Sequence, residues 1–382
     1  MGLSRRPLWL AGLLLTTLLA TLLALVPGVA AQGVDGPTSL TPPTVTGPPV
    51  FARRLTADPG TWDPADVELA YRWLRDGVPV DDATGSTYLL GLDDLRHRLS
   101  VEVTATSTDA SGHSVTAVAL SEPTSVVRRA PMLNRRLPAV RGEARYPRTL
   151  RATPGRWRTD PTIVRYRWQR DGEPIAGPRR AQHVITPEDV GHRLSVQVAV
   201  KAPGHAWASA TSEPVGPVAH RVGVRRTVTY HVETRGRIVT SVGEFARLAQ
   251  ETYDDARGWR GAGVRFVRVA RGGDFTLVLA AESTVPSFSS GCSSTYSCRV
   301  GRYVIINQDR WRLATPPWRE ARGSLRDYRH MVLNHETGHW LGLGHATCGG
   351  PGRPAPVMQQ QSKGLGGCRF NPWPTASEQG RV

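Results

Sequence analysis

Three histidines and a glutamate fall within the eleven residues HETGHWLGLGH, from His335 to His345. His335 and His339 are four residues apart. On a helix turning about 100° per residue they share one face, one turn apart. Two imidazoles placed this way can meet one metal ion at a Zn–N distance of about 2.0–2.1 Å. Glu336 points round the edge of that face, where it can reach a metal-held water without ligating the metal. Zinc lowers the pKa of such a water toward ~7, and the carboxylate takes its proton as the water attacks a carbonyl. A catalytic zinc needs a third protein ligand and one open position. A straight helix carries His345 away from the ion. Gly342 can adopt a positive φ and turn the chain, so that His345 swings back. Gly338 and Gly344 would let backbone pack closely, with no firmer role assigned.

These residues need a helix and a sheet to hold them. GSLRDYRHMVLNHETGHWLGLG opens with Ser324 and Asp327, spaced as a capping box before an apolar run, which predicts a helix. Trp340 and Leu341 read as core contacts. His330 lies on a different face from His335 and is not expected to ligate. Upstream, RTVTYHVE reads as a strand and residues 241–259 as an amphipathic helix. Residues 264–269, 274–281 and 302–307 read as strands, and the Ser-rich stretch before residue 298 as a loop. Strand, helix, three strands and a helix predict a compact α+β domain. Four cysteines, Cys292, Cys298, Cys348 and Cys368, read as two disulfides in an exported chain. The local pairing Cys292–Cys298 and Cys348–Cys368 is the expected one of three connectivities. A Cys348 thiolate as a fourth ligand is the alternative, and it would close the zinc site as a structural one.

HETGHWLGLGH matches the H-E-x-x-H-x-x-G-x-x-H signature, and the region 225–376 resembles the metzincin zinc peptidases. It is similar to a poorly characterised exported actinobacterial family, whose C-terminal end is like GRPAPVMQQQSKGLGGCRFNPWP. The resemblance implies an α+β metzincin-like catalytic domain over 225–382. It implies His335, His339 and His345 as ligands of one catalytic Zn2+, and Glu336 as general base and acid. It makes Met358 the Met-turn residue, a floor beneath the ion. It also places strand 302–307 as the edge that takes substrate by strand addition. One position departs from the pattern. The tyrosine that some of these enzymes carry two residues after the methionine is Gln360 here, which leaves the oxyanion-stabilising group unassigned. No cysteine precedes Cys292, so latency through a propeptide cysteine is excluded.

The preceding half of the chain holds an internal repeat. GPPVFARRLTADPGTW (47–62) aligns with GEARYPRTLRATPGRW (142–157), and YRWLRDGVPV (71–80) with YRWQRDGEPI (166–175). The alternating pattern and Gly, Pro and Asp turns predict two all-β sandwiches, 47–127 and 130–218, which resemble immunoglobulin-like modules without the inter-sheet disulfide. Trp73 and Trp168 are the expected core tryptophans, and Asp76-Gly77 and Asp171-Gly172 the expected hairpin turns. His97 and His192 recur at one place in the repeat and read as structural. The repeats are expected to act as spacers or attachment modules, or to mask the cleft.

Residues 1–31 carry Arg5 and Arg6 before an apolar run and a small-residue cleavage site, reading as a signal peptide or an uncleaved membrane anchor. Residues 32–46, rich in Pro, Thr and Gly, read as a linker. Both leader readings place the rest of the 382-residue chain outside the cell, secreted or surface-attached. The net charge of +16 is carried almost wholly by arginine, since the only lysines are Lys201 and Lys363. The arginines are scattered, so nucleic acid is not an expected partner, whereas anionic cell-envelope polymers are. The function expected is a zinc-dependent endopeptidase acting on protein or peptide substrates. The alternative is an envelope-binding or adhesive protein with an inactive C-terminal domain.

Overall fold

The computed structural model describes residues 36–382 apart from Ala110 and Pro178. The expected leader, 1–31, and the first residues of the expected linker lie outside the described residues. The chain divides between Arg128 and Arg129 into two compact units.

The first unit is the first repeat. A three-stranded sheet (Thr44–Thr46, Arg54–Asp58, Thr87–Leu89) and a four-stranded one (Val78–Pro79, Glu68–Arg75, Leu99–Thr108, Ser114–Leu120) are antiparallel throughout. Alternation along Leu99–Thr108 sends Leu99, Val101, Val103 and Ala105 inward, where they meet Leu55 and Ala57 of the other sheet and Trp73 of the neighbouring strand. Trp73 is fully buried, and its indole N–H donates to Gly85 O at 2.8 Å. Asp76 and Gly77 both have positive φ (47° and 82°), as the hairpin reading requires. His97 holds that turn through Nδ1 and the Asp76 carboxylate at 2.6 Å, a structural role.

The second unit contains the second repeat and the C-terminal module together. The repeat builds the same pair of sheets, with Trp168 buried and His192 bonded to Asp171 at 2.5 Å. It also shows a feature that the sequence reading misses. Asp189 is fully buried, accepting from Arg170 at 2.7 Å, from His183 Nε2 at 2.7 Å and from the backbone N–H of Thr186 at 2.8 Å. In the first repeat Asp94 is bound likewise by Arg75 at 2.8 Å and the Tyr88 hydroxyl at 3.1 Å. Burying a carboxylate is tolerated only with such partners.

The C-terminal module is a five-stranded sheet in the order Val264–Arg268, Arg226–Arg235, Phe275–Ala280, Tyr303–Asn307, Cys298–Val300. Every pair is parallel except the last. The strand Phe275–Ala280 is buried along its whole length, as a parallel strand covered on both faces must be. Phe275, Leu277 and Leu279 meet the helices Val242–Asp254 and Leu325–Trp340, while Val278 and Ala280 meet Val285 and Ile305 on the other side.

The structure corrects the expected fold class. The chain was expected to carry an α+β metzincin-like domain, but it is mostly β, with about 17% helix. Among the described residues helical periodicity is sustained in two stretches, Val242–Asp254 and Leu325–Trp340, and the other α-helices there have four to six residues. An α+β class also implies an antiparallel sheet with segregated helices, whereas this sheet is parallel but for one edge. The linker reading is corrected too. Thr38–Thr41 and Thr44–Thr46 are strands that pair with Thr61–Asp63 and Arg54–Asp58 of the first repeat. Their Thr and Pro content suits sheet edges as well as linkers. Among the described residues no helix is long and apolar enough to cross a membrane.

Candidate metal centre

The helix Leu325–Trp340 positions two of the three histidines. Ser324 is its N-cap, its Oγ accepting from the backbone N–H of Asp327 at 3.0 Å. The buried face carries Tyr328, Met331, Val332 and His335 against the sheet. The helix ends at Gly342, whose φ is +97°. The N–H of Gly342 reaches His339 O at 3.1 Å and that of Leu343 reaches Gly338 O at 3.0 Å. This paired closure around a left-handed glycine reverses the chain. It brings His345 Nε2 to 3.1 Å from His339 Nε2, which itself lies 3.2 Å from His335 Nε2.

The hydrogen bonds fix what these nitrogens are. His335 Nδ1 donates to Val357 O and His339 Nδ1 to Leu343 O, each at 2.8 Å. A carbonyl can only accept, so both Nδ1 atoms carry the proton and both Nε2 atoms present lone pairs. Facing lone pairs 3.2 Å apart repel unless a cation lies between them. Four ligands set tetrahedrally at the Zn–N distance are about 3.3 Å apart, close to the spacing seen here. The three ligand atoms lie within 4.8 Å of one another. Burial pushes the His335 imidazole down to about 3 and lowers those of His339 and His345, which keeps all three neutral and fit to ligate. The residues fit a zinc ion on donor type, spacing and tautomer.

Glu336 stands beside them in the same cleft. Burial pushes its carboxyl up to about 8. Met358 is fully buried and packs against the helix at Gly338. It gives Gly338 the role that the sequence leaves open. A Cβ on Gly338 would lie 2.3 Å from Met358 Sδ and 2.9 Å from Trp259 Cζ2, so only glycine lets the helix seat on that floor.

Glu378 is the functional residue that the sequence reading misses. It is buried, and its Oε1 accepts from the backbone N–H of Met358 at 2.8 Å. Its Oε2 accepts from the N–H groups of Val357 at 3.1 Å and Thr375 at 2.7 Å. The turn it clamps supplies Val357 O to His335, and Met358 O accepts from Ala346 N beside His345. Its only local trace is the T-x-x-E capping box of Thr375 and Glu378.

The cysteines pair as expected, Cys292–Cys298 and Cys348–Cys368. The first bridge closes the loop forming one wall of a cleft of about 780 Å³, and the second spans the segment carrying Met358. Gln360 lines the cleft, as do Tyr296 and Lys363, while no lining residue comes from the repeats. The strand 302–307 is not the edge that the resemblance implies. It pairs on both sides, and the edge is Cys298–Val300, which begins where the Ser-rich stretch ends. His330 is no ligand: its Nδ1 bonds Thr252 Oγ1 at 2.9 Å and its ring packs on Trp373. Trp340 packs on Phe275, and Leu341 is partly buried against the same core, while Gly344 meets nothing.

Comparison with known proteins adds a family match. Residues 201–373 match a family described as "Protein of unknown function (DUF3152)". No curated protein matches the chain. Among solved structures, the chain is similar to three N-terminal domains of the outer capsid protein Hoc of bacteriophage RB49, with 16% identity and a TM-score of 0.22, covering 51% of this chain and 65% of that one. It is also similar to an ice-binding, Ca2+-stabilised adhesin of an Antarctic bacterium, with 13% identity and a TM-score of 0.22, covering 50% and 52%. A third match is to fibronectin(III)-like modules of Clostridium thermocellum CbhA, with 12% identity and a TM-score of 0.15, covering 44% and 92%. The chain spans less than two thirds of the first two structures. Scores this low carry no argument about fold or function.

Proposed function

We propose that the C-terminal module is a zinc-dependent peptide-bond hydrolase of an exported protein. One observation carries the reading: the Nε2 atoms of His335, His339 and His345 converge, two of them with Nδ1 committed to backbone carbonyls, beside the carboxylate of Glu336.

His335, His339 and His345 would hold one Zn2+, leaving a position that faces the cleft. Bound zinc supplies Lewis acidity to a substrate carbonyl and to water. Glu336 accepts a proton from the attacking water at its carboxylate and returns it to the leaving amine. Its place beside the three imidazoles in the cleft suits that exchange. Gln360, at the position of the absent tyrosine, lines the cleft, and its amide could donate to a developing oxyanion. The two disulfides support an oxidising compartment outside the cell.

The test uses the full chain. Bound zinc is measured after purification in metal-free buffer, and cleavage of a quenched peptide library is compared with that of Glu336→Gln. A general base contributes roughly 10²–10⁴-fold, so the variant should lose most activity while keeping its zinc. Zinc binding with equal cleavage by both proteins would leave a non-catalytic surface module.

A further inference from the structure

The walls of the cleft carry charge of one sign. Arg299 projects from the edge strand Cys298–Val300, and Lys363 follows the turn that holds Met358. Both are exposed, and neither forms an ion pair among the described residues. Glu336 is the only acidic residue lining the cleft, and it is buried. Lys363 is one of only two lysines in an arginine-rich chain. Its ammonium lies 5.5 Å from the centre of the Tyr296 ring, so it reaches from the Met358 segment toward the disulfide loop. Lys363 and Arg299 line the same cleft as His335, His339 and His345, which places the two cations around the three imidazoles.

We propose that this cleft selects an anionic substrate, a peptide whose carboxylate lies next to the scissile bond and is bound between Lys363 and Arg299. A cleft lined by one sign of charge raises the local concentration of opposite charge and repels its own. Five arginines elsewhere, Arg72, Arg145, Arg235, Arg247 and Arg326, each face a glutamate. The two cations of the cleft instead face its open space. The carboxylate has two possible sources, an Asp or Glu side chain within the peptide or the free C-terminus of a peptide cut near its end. The proposal rests on the peptidase reading for the term "scissile", but binding can be read without turnover.

The experiment uses full-length Glu336→Gln protein loaded with zinc and fluorescein-labelled peptides followed by anisotropy. One pair of peptides differs by an internal Glu against Gln, both ending in an amide. A second pair shares the Gln sequence and ends in a carboxylate or an amide. The acidic member of at least one pair should bind about five-fold tighter, and the pair that shows this identifies the source. Lys363→Met or Arg299→Gln should bring that ratio toward one, whereas Lys363→Arg should keep it. Equal affinities within both pairs, no binding of any peptide, or a ratio unmoved by Lys363→Met and Arg299→Gln alike would overturn the proposal. Loss of Glu336-dependent cleavage in the wild-type assay is a separate result and bears on the peptidase reading alone.

Discussion

The carboxylate of Glu378 and the backbone N–H of Met358 are joined at 2.8 Å inside the core. The same carboxylate holds Val357 N, and Val357 O in turn accepts from His335 Nδ1. A residue far along the chain from the histidines thereby sets the angle of one imidazole. Glu378→Ala should leave two buried N–H groups unpaired, at about 1–3 kcal/mol each. Zinc affinity should fall about 10–100-fold, the usual cost of losing an orienting partner. Competition with a chromophoric chelator measures the second effect and urea unfolding the first. Unchanged zinc affinity in a folded variant would remove Glu378 from the centre.

Gly338 and Gly344 separate a packing glycine from an indifferent one. A methyl group at Gly338 would collide with Met358 Sδ, while one at Gly344 would meet nothing within 4 Å. Gly338→Ala should therefore cost about 1–3 kcal/mol, the range for overpacking a close-packed core. Gly344→Ala should stay within about 0.5 kcal/mol of wild type, as surface substitutions do. Paired urea titrations decide this.

Gly342 acts through backbone rather than space. Its φ of +97° costs a side chain strain, although nothing stands where a Cβ would go. Gly342→Ala should lose roughly 1–2 kcal/mol of stability. It should also weaken zinc binding, because the reversal that returns His345 depends on that conformation. A variant that loses stability but keeps its zinc affinity would show the reversal to be held by other contacts.

Asp189 predicts a pH dependence. Burial alone would raise its pKa, but His183, the Thr186 N–H and Arg170 together hold it well below the ordinary carboxylate range. A depressed native pKa contributes stability above the unfolded value of about 3.9 and loses it as pH falls further. The stability difference between wild type and Asp189→Asn should accordingly be full at pH 7 and shrink below about pH 4. Urea midpoints at pH 7, 5 and 3 test the sign. A difference that grows on acidification would contradict it.

The convergence of the three histidines is legible in the sequence because its geometry is local: two histidines one turn apart, then a glycine that permits a positive φ. The disulfide pairing is legible for the same reason, since both bridges close short segments. Glu378 is not, because its partners at Val357 and Met358 lie about twenty residues away and are backbone atoms with no residue signature. The edge strand Cys298–Val300 is masked by the serines before it, and its identity depends on a pairing with Tyr303–Asn307. The strands within 38–46 are masked by composition, as Thr, Pro and Gly serve linkers and sheet edges equally. The α+β expectation for the C-terminal domain fails because regular structure is mostly strand, with about 17% helix. Nor does element order alone reveal that the sheet is parallel.

The orientation of His335 and His339 has one more consequence. Each ring is held by a carbonyl of the chain itself, Val357 O or Leu343 O, within a core that includes Trp259, Phe275 and Met358. The orientation of these two rings is thus set by folding. The ion would then be an exchangeable guest: a chelator should strip it with little change in far-ultraviolet circular dichroism, and added zinc should restore the protein without a refolding lag.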